Sequence, residues 1–285
     1  MQLSRQIALA CTMAFVSFTN PSRLSAQSSP TPNNTPKPPN NTSKPSSNTP
    51  DTKPERKQPP QPQQEKIDFS SYGRPGNRAG GGSRSPCSST SIDLTALTPV
   101  ANWGKTVSPT PTFWFYVPYS PDEAHAGEFV LQDEKYNDLY RTPFTLPQTP
   151  GFVSLSIQSS QATLETDKWY FWSFKLYCGQ KPSSTPIFVE GWVQRVALTP
   201  ELEKQLTTAT TKDHVVYSTN GIWYDAVANL ATLRLGNTQN ILLNGEWADL
   251  LGAQGVGLNQ LTQESIIGEV RLLPIVNSSS KPITH

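Results

Sequence analysis

The chain has 285 residues, 35% hydrophobic and 16% charged, with 27 prolines and a formal net charge of +1. This balance excludes a strongly basic nucleic-acid binder. Three histidines and three cysteines leave little material for a metal-rich centre.

Residues 1–26 read as a secretory signal: Arg5 precedes the apolar run 7–18, and Ser25-Ala26 offers a cleavage point before Gln27. The run is too short to span a bilayer, and no transmembrane segment is expected once the signal is removed. Cys11 leaves with it, so the mature chain keeps Cys87 and Cys178, an even pair in an oxidising compartment. They are expected to form a disulfide, the alternative being two buried thiols. Closing a loop of about ninety residues removes roughly 4–5 kcal/mol of denatured-chain entropy.

Residues 27–86 are rich in Pro, Ser, Thr, Asn, Gln and Gly and nearly devoid of apolar side chains, a composition that cannot offset the entropy of ordering. They are expected to be a disordered tether. It carries nine basic against four acidic residues, while 87–285 carries twelve against eighteen. A basic tail can contact anionic wall polymer, lipid headgroups or its own acidic domain. So dilute a charge equally suits a solvated linker.

From 87 to 198 short alternating runs separated by Pro, Gly and Asp/Asn predict an antiparallel, immunoglobulin- or fibronectin-like β-sandwich. Seven runs fall at 92–97, 112–117, 128–133, 139–146, 152–157, 169–178 and 187–196, with a hairpin turn at 134–138 joining the third to the fourth. In the sixth, Tyr170, Trp172, Phe174, Leu176 and Cys178 share one parity and are expected to face the core. Leu164, six residues before Tyr170, has the spacing of a tyrosine corner.

Beyond Ala197 the period lengthens to that of a helix. Thr199-Pro200 is an N-cap with Pro at the first helical position, and further helices are expected over 212–218, 221–235 and 239–251, the last two forming a hairpin closed by Gly236 and Gly252. The helical region is set at 199–257 and a C-terminal extension at 258–285.

The blocks 111–119, 128–133, 188–193 and 221–226, all rich in aromatic or apolar residues, resemble the cyanobacterial family catalogued as domain of unknown function 928, over about 87–258. The resemblance implies a cyanobacterial envelope or secreted protein with no established activity.

No hydrolase, zinc, phosphate-loop or calcium-loop motif occurs, and no cofactor or metal is expected. His125, His214 and His285 lack partners at metal or triad spacing. Asp133, Glu134, Glu190 and Asp225 are either exposed strand and loop acids or, if they converge, a glycosidase pair. Trp114, Tyr116, Tyr119, Trp192, Trp223 and Tyr224 serve either core packing or recognition. Candidate binding residues are Trp223, Tyr224, Asp225, Trp192 and Tyr119. For Trp223-Tyr224-Asp225 an internal contact with the sandwich is favoured over a partner contact, because a lone helical hairpin needs a surface to bury against. The sequence points to a non-enzymatic envelope interaction module with a protein or polysaccharide partner. The alternatives are a carbohydrate-binding module and a carboxylate hydrolase.

Overall fold

A computed structural model describes residues 67–80, 87–178, 185–209 and 212–274, all within the compact unit Gln61–His285. The expected signal segment, the tether before residue 67, residues 81–86 and the last eleven residues lie outside the described residues.

Two sheets face each other. The five-stranded one has the order β1 (Ala79–Gly80), β2 (Leu94–Ala96), β4 (Thr112–Val117), β7 (Gly151–Ser156), β10 (Ile266–Glu269). The six-stranded one runs β11 (Arg271–Leu272), β6 (Asp138–Thr145), β5 (Ala126–Gln132), β8 (Trp169–Tyr177), β9 (Ile187–Arg195), β3 (Trp103–Thr106). The mainly β unit followed by helices is as expected. The sheets are mixed, however: β3 runs parallel to β9 and β10 parallel to β7, pairs that an all-antiparallel reading does not contain.

Each of the seven expected strands is present. Alternation decides their faces: Tyr170, Trp172, Phe174 and Leu176 of β8 are buried, and Phe115 of β4 stacks on Phe174 across the sandwich at 4.0 Å between ring centroids. Tyr116 has the opposite parity and packs with Phe152, its register partner on β7, against Trp247 of α4 (Ile241–Leu251). The helical region thereby covers the outer side of the five-stranded sheet. The Tyr170 hydroxyl accepts the Glu165 amide at 2.7 Å beside buried Leu164, which is the tyrosine corner. A disulfide joins Cys87 to Cys178 at the end of β8, their Cα atoms 4.9 Å apart.

The helices α1 (Pro200–Thr208), α2 (Asp213–Thr219), α3 (Trp223–Gly236) and α4 fall where period and capping place them, with the Thr199 side chain accepting the Leu202 amide. Among the described residues no helix is long and apolar enough to cross a membrane.

The structure differs from the expected organisation at both ends of the fold. Residues 67–80, within the expected tether, form a packed strap: Phe69 is buried edge-on against Trp223, β1 pairs with β2, and the Arg78 guanidinium donates to the Thr98 and Val256 carbonyls. Composition averages over a long stretch conceal such single anchors. The expected C-terminal extension supplies β10 and β11, one strand to an edge of each sheet, with Val270 buried between them.

Candidate aromatic site on the six-stranded sheet

With helices over one outer face, the outer face of the six-stranded sheet is the broad β surface left uncovered by helices. Inward parity is taken by Tyr170, Trp172 and Phe174, so Trp169 and Phe171 point outward. Phe171 is paired in register with Trp192 on β9, and Trp192 with Trp103 on β3, which places four rings of three strands on one face. Trp103 meets Trp169 edge-on at 5.0 Å and Phe171 meets Trp192 at 5.3 Å. Tyr136 comes down from the β5–β6 hairpin against Phe171 at 5.4 Å and Trp192 at 6.1 Å.

The hairpin is built to present that ring. Asp133 accepts the amides of Lys135 and Asn137 and the Asn137 side chain, closing the turn. These bonds, the Asn137 side chain first, hold the Asp133 carboxyl below the usual aspartate range. Tyr136 has φ 62° and is 55% exposed. Among the described residues three non-glycine residues have positive φ, and all three adjoin this face: Asn102 before Trp103, Tyr136, and Asp167 two before Trp169.

Beside Trp169 a cleft of about 510 Å³ opens between the β5–β6 hairpin and the loop before β8. Its wall includes Asp133, Asn137, Gln161, Glu165 and Lys168, so carboxylate, amide and ammonium groups stand next to an indole. Across the other side of the platform lies the strap. Trp103 Nε1 donates to the Tyr72 carbonyl and Trp192 Nε1 to the Pro75 carbonyl, each at 2.9 Å. The Arg74 guanidinium lies 3.5 Å from the centre of the Trp169 ring and 4.8 Å from that of Trp192.

Of the binding residues read from the sequence, Trp192 belongs to this face, although it is 5% exposed beneath the strap and Tyr136. The other four are elsewhere. Trp223 and Tyr224 are buried where α3 enters the end of the sandwich: Trp223 Nε1 donates to the Leu97 carbonyl at 2.8 Å, and the Tyr224 hydroxyl accepts from Trp172 Nε1 and donates to the Trp192 carbonyl. Gly104 makes room, since a Cβ there would lie 2.9 Å from Trp223 Cβ. Burial raises the Tyr224 pKa far above the usual phenol range. Tyr119 is also buried, after β4. These three rings are packing residues, because none presents a face to solvent.

Asp225 is tied to the end of β3. Burial raises its pKa, opposed by hydrogen bonds from the Thr106 hydroxyl and the Val107 and Ser108 amides. It lines a separate cleft of about 340 Å³ with Thr106, Ser108 and Asn229, whereas Asp133 and Glu134 line the cleft at Trp169. Glu190 sits on β9 opposite Ser173, where burial raises its pKa. Asp133 and Glu134 therefore share one cleft, the Asp133 carboxylate being taken up by the turn amides it closes, while Asp225 lines another cleft and Glu190 neither of the two. His214 is buried, with Nε2 3.1 Å from Glu246 Oε2. The residues that reading from sequence missed are Trp103, Trp169, Phe171, Tyr136 and Arg74. The signal for Trp169 and Phe171 was available, being the parity opposite to the inward set of β8.

Comparison with curated proteins finds no match. The matched stretch of the family model reaches beyond both ends of the 87–258 region that carries the sequence resemblance, taking in β1 and the first residue of β10. Residues 79–266 match the model of DUF928, a domain of unknown function, and the chain belongs to that family.

Proposed function

We propose that this protein is an exported, non-enzymatic binding module of the cell envelope or its surroundings, and that its outer aromatic face binds polysaccharide. The observation that carries the reading is the concentration of left-handed backbone and outward aromatic rings on one sheet face that no helix covers, beside a polar cleft. Pyranose chairs pack their C–H faces on indole and phenol rings, while carboxylate and amide groups at the rim take the hydroxyls; this is the usual composition of a ligand surface, large rigid rings with a few placed polar groups. Export is supported by the Cys87–Cys178 disulfide, which persists in an oxidising compartment, and by the signal-like amino terminus.

The test is binding of the full chain to soluble and insoluble glycans, compared with Trp169→Ala and Tyr136→Gly. Both variants should lose at least about tenfold in affinity, as expected for aromatic anchors. Their melting temperatures should stay close to the parent, and Tyr136→Gly should match or exceed it because glycine relieves the left-handed backbone. Retained binding in both variants, or no binding of any glycan by the parent, would refute the reading.

A further inference from the structure

We propose that Arg74 is a built-in occupant of the ligand face, and that ligand binds by taking its place on the Trp169 ring. The proposal rests on the reading of this face as a saccharide surface.

The strap is held by side chains at its two ends and by its backbone in the middle. At one end Phe69 is buried against Trp223 and its amide donates to the Gln254 carbonyl at 2.8 Å. At the other, Arg78 donates to the Thr98 and Val256 carbonyls and β1 joins the sheet. Between these anchors the chain crosses the aromatic face through five hydrogen bonds of its backbone: the Tyr72 and Pro75 carbonyls accept from the two indoles, the Pro75 carbonyl also from Asn102 Nδ2, the Asn77 carbonyl from the Glu190 amide, and the Arg74 amide donates to the Ala101 carbonyl. Tyr72 is 98% exposed and contributes no ring to the interior.

The Arg74 side chain is placed unlike a structural arginine. Among the described residues it makes no ion pair and no side-chain hydrogen bond, in contrast to Arg78 and Arg141, whose guanidinium groups donate to carbonyls or pair with carboxylates. Its side-chain contribution is to place the guanidinium over Trp169 and nearer the edge of Trp192, covering the surface that a pyranose ring would use. The cover is also imperfectly fitted: Asn102 Oδ1, beneath the strap, is buried without a hydrogen-bond partner among the described residues. Withdrawing the Arg74 side chain alone leaves the strap's backbone hydrogen bonds in place, gives up a stacked cation that returns to water with its hydration restored, and uncovers the indole next to the polar cleft.

The experiment uses the full chain, its Arg74→Ala and Arg74→Lys variants, and cellohexaose as a soluble pyranose probe. Oxidation of each tryptophan by N-bromosuccinimide, mapped by peptide mass, is measured without ligand, and probe affinity is then measured by calorimetry. In Arg74→Ala, Trp169 should oxidise several-fold faster while Trp172 and Trp223 remain protected, which also reports an intact fold. Probe affinity should rise about two- to fivefold, the range given up by an exposed cation–π contact. Arg74→Lys should fall between. Unchanged oxidation of Trp169 overturns the proposal whether or not the probe binds. Faster oxidation with weaker binding also overturns it, since Arg74 would then be holding ligand. Faster oxidation with no binding by any of the three chains sustains the cover and sinks the saccharide reading instead.

Discussion

Replacing Trp223 with alanine should destabilise the folded unit by about 3–5 kcal/mol, the range for emptying a buried aromatic site. The side chain has no exposed surface, packs against Phe69, and fills the space left by Gly104. Its loss empties a junction of three parts: α3, the strap and the end of the sandwich. The Leu97 carbonyl would also lose its partner, a penalty of about 1–3 kcal/mol for a buried acceptor left unpaired. Trp223→Phe separates the two effects, because it keeps most of the packing and removes only the donor. For a folded unit of this size, 3–5 kcal/mol corresponds to a fall of roughly 6–20 °C in melting temperature. Urea unfolding followed by near-ultraviolet circular dichroism gives the free energy directly. A loss below about 1 kcal/mol for Trp223→Ala would show that the junction does not hold the fold together, and would refute the internal role assigned to this residue.

Two further outcomes are expected. Cys87→Ser/Cys178→Ser should reduce stability by up to about 4–5 kcal/mol, the entropy of a loop of this length, and thiol labelling of the denatured, unreduced parent should find neither cysteine free; reactive thiols at 87 and 178 would contradict the bond. For Asp225 the folded-state pKa is raised, so its contribution to stability is complete below the ordinary aspartate range and is lost as pH rises through the raised value. The stability difference between parent and Asp225→Asn should therefore shift in favour of the variant from about pH 3 to pH 7, and a difference that does not vary with pH would refute the buried-carboxylate account.

The elements legible in the sequence are those whose information is local. Seven strands announced themselves by alternation between Pro and Gly breaks, and four helices by an N-cap at Thr199 and stops near Gly236 and Gly252. What was not legible depends on distant partners. β3 reads Trp-Gly-Lys-Thr, with no alternation, and becomes a strand because the free edge of β9 lies beside it. β10 and β11 are short edge strands whose partners, β7 and β6, lie more than a hundred residues earlier in the chain. The strap shows the limit of compositional reasoning most clearly: a stretch poor in apolar residues is still ordered when Phe69 enters the core and Arg78 meets two carbonyls. Of the aromatic residues chosen as binding candidates, Trp192 lies on the outer face, and Trp223 and Tyr224 make the internal contact that was the favoured alternative for them. Trp223 and Tyr224 stand on a helix stripe whose partner surface is the sandwich end, and a stripe does not say whether its partner lies inside the protein or outside.

A stability account alone does not explain the outer face. Cross-strand aromatic pairs contribute about 0.2–1 kcal/mol each relative to small residues, so Phe171–Trp192 and its neighbours give a modest gain. Against it stands the left-handed backbone. Asn102 and Asp167 are residue types that visit this region at little penalty, but Tyr136 is not, and its conformation costs roughly 1–2 kcal/mol. Glycine would fit the turn better, and the Asp133 bonds that close the turn do not require a tyrosine. The ring is therefore retained at a net expense close to what its contacts return, while more than half of it stays in water. Local strain of that kind, held by a firmly built hairpin and spent on an exposed aromatic, supports the ligand surface proposed for this face.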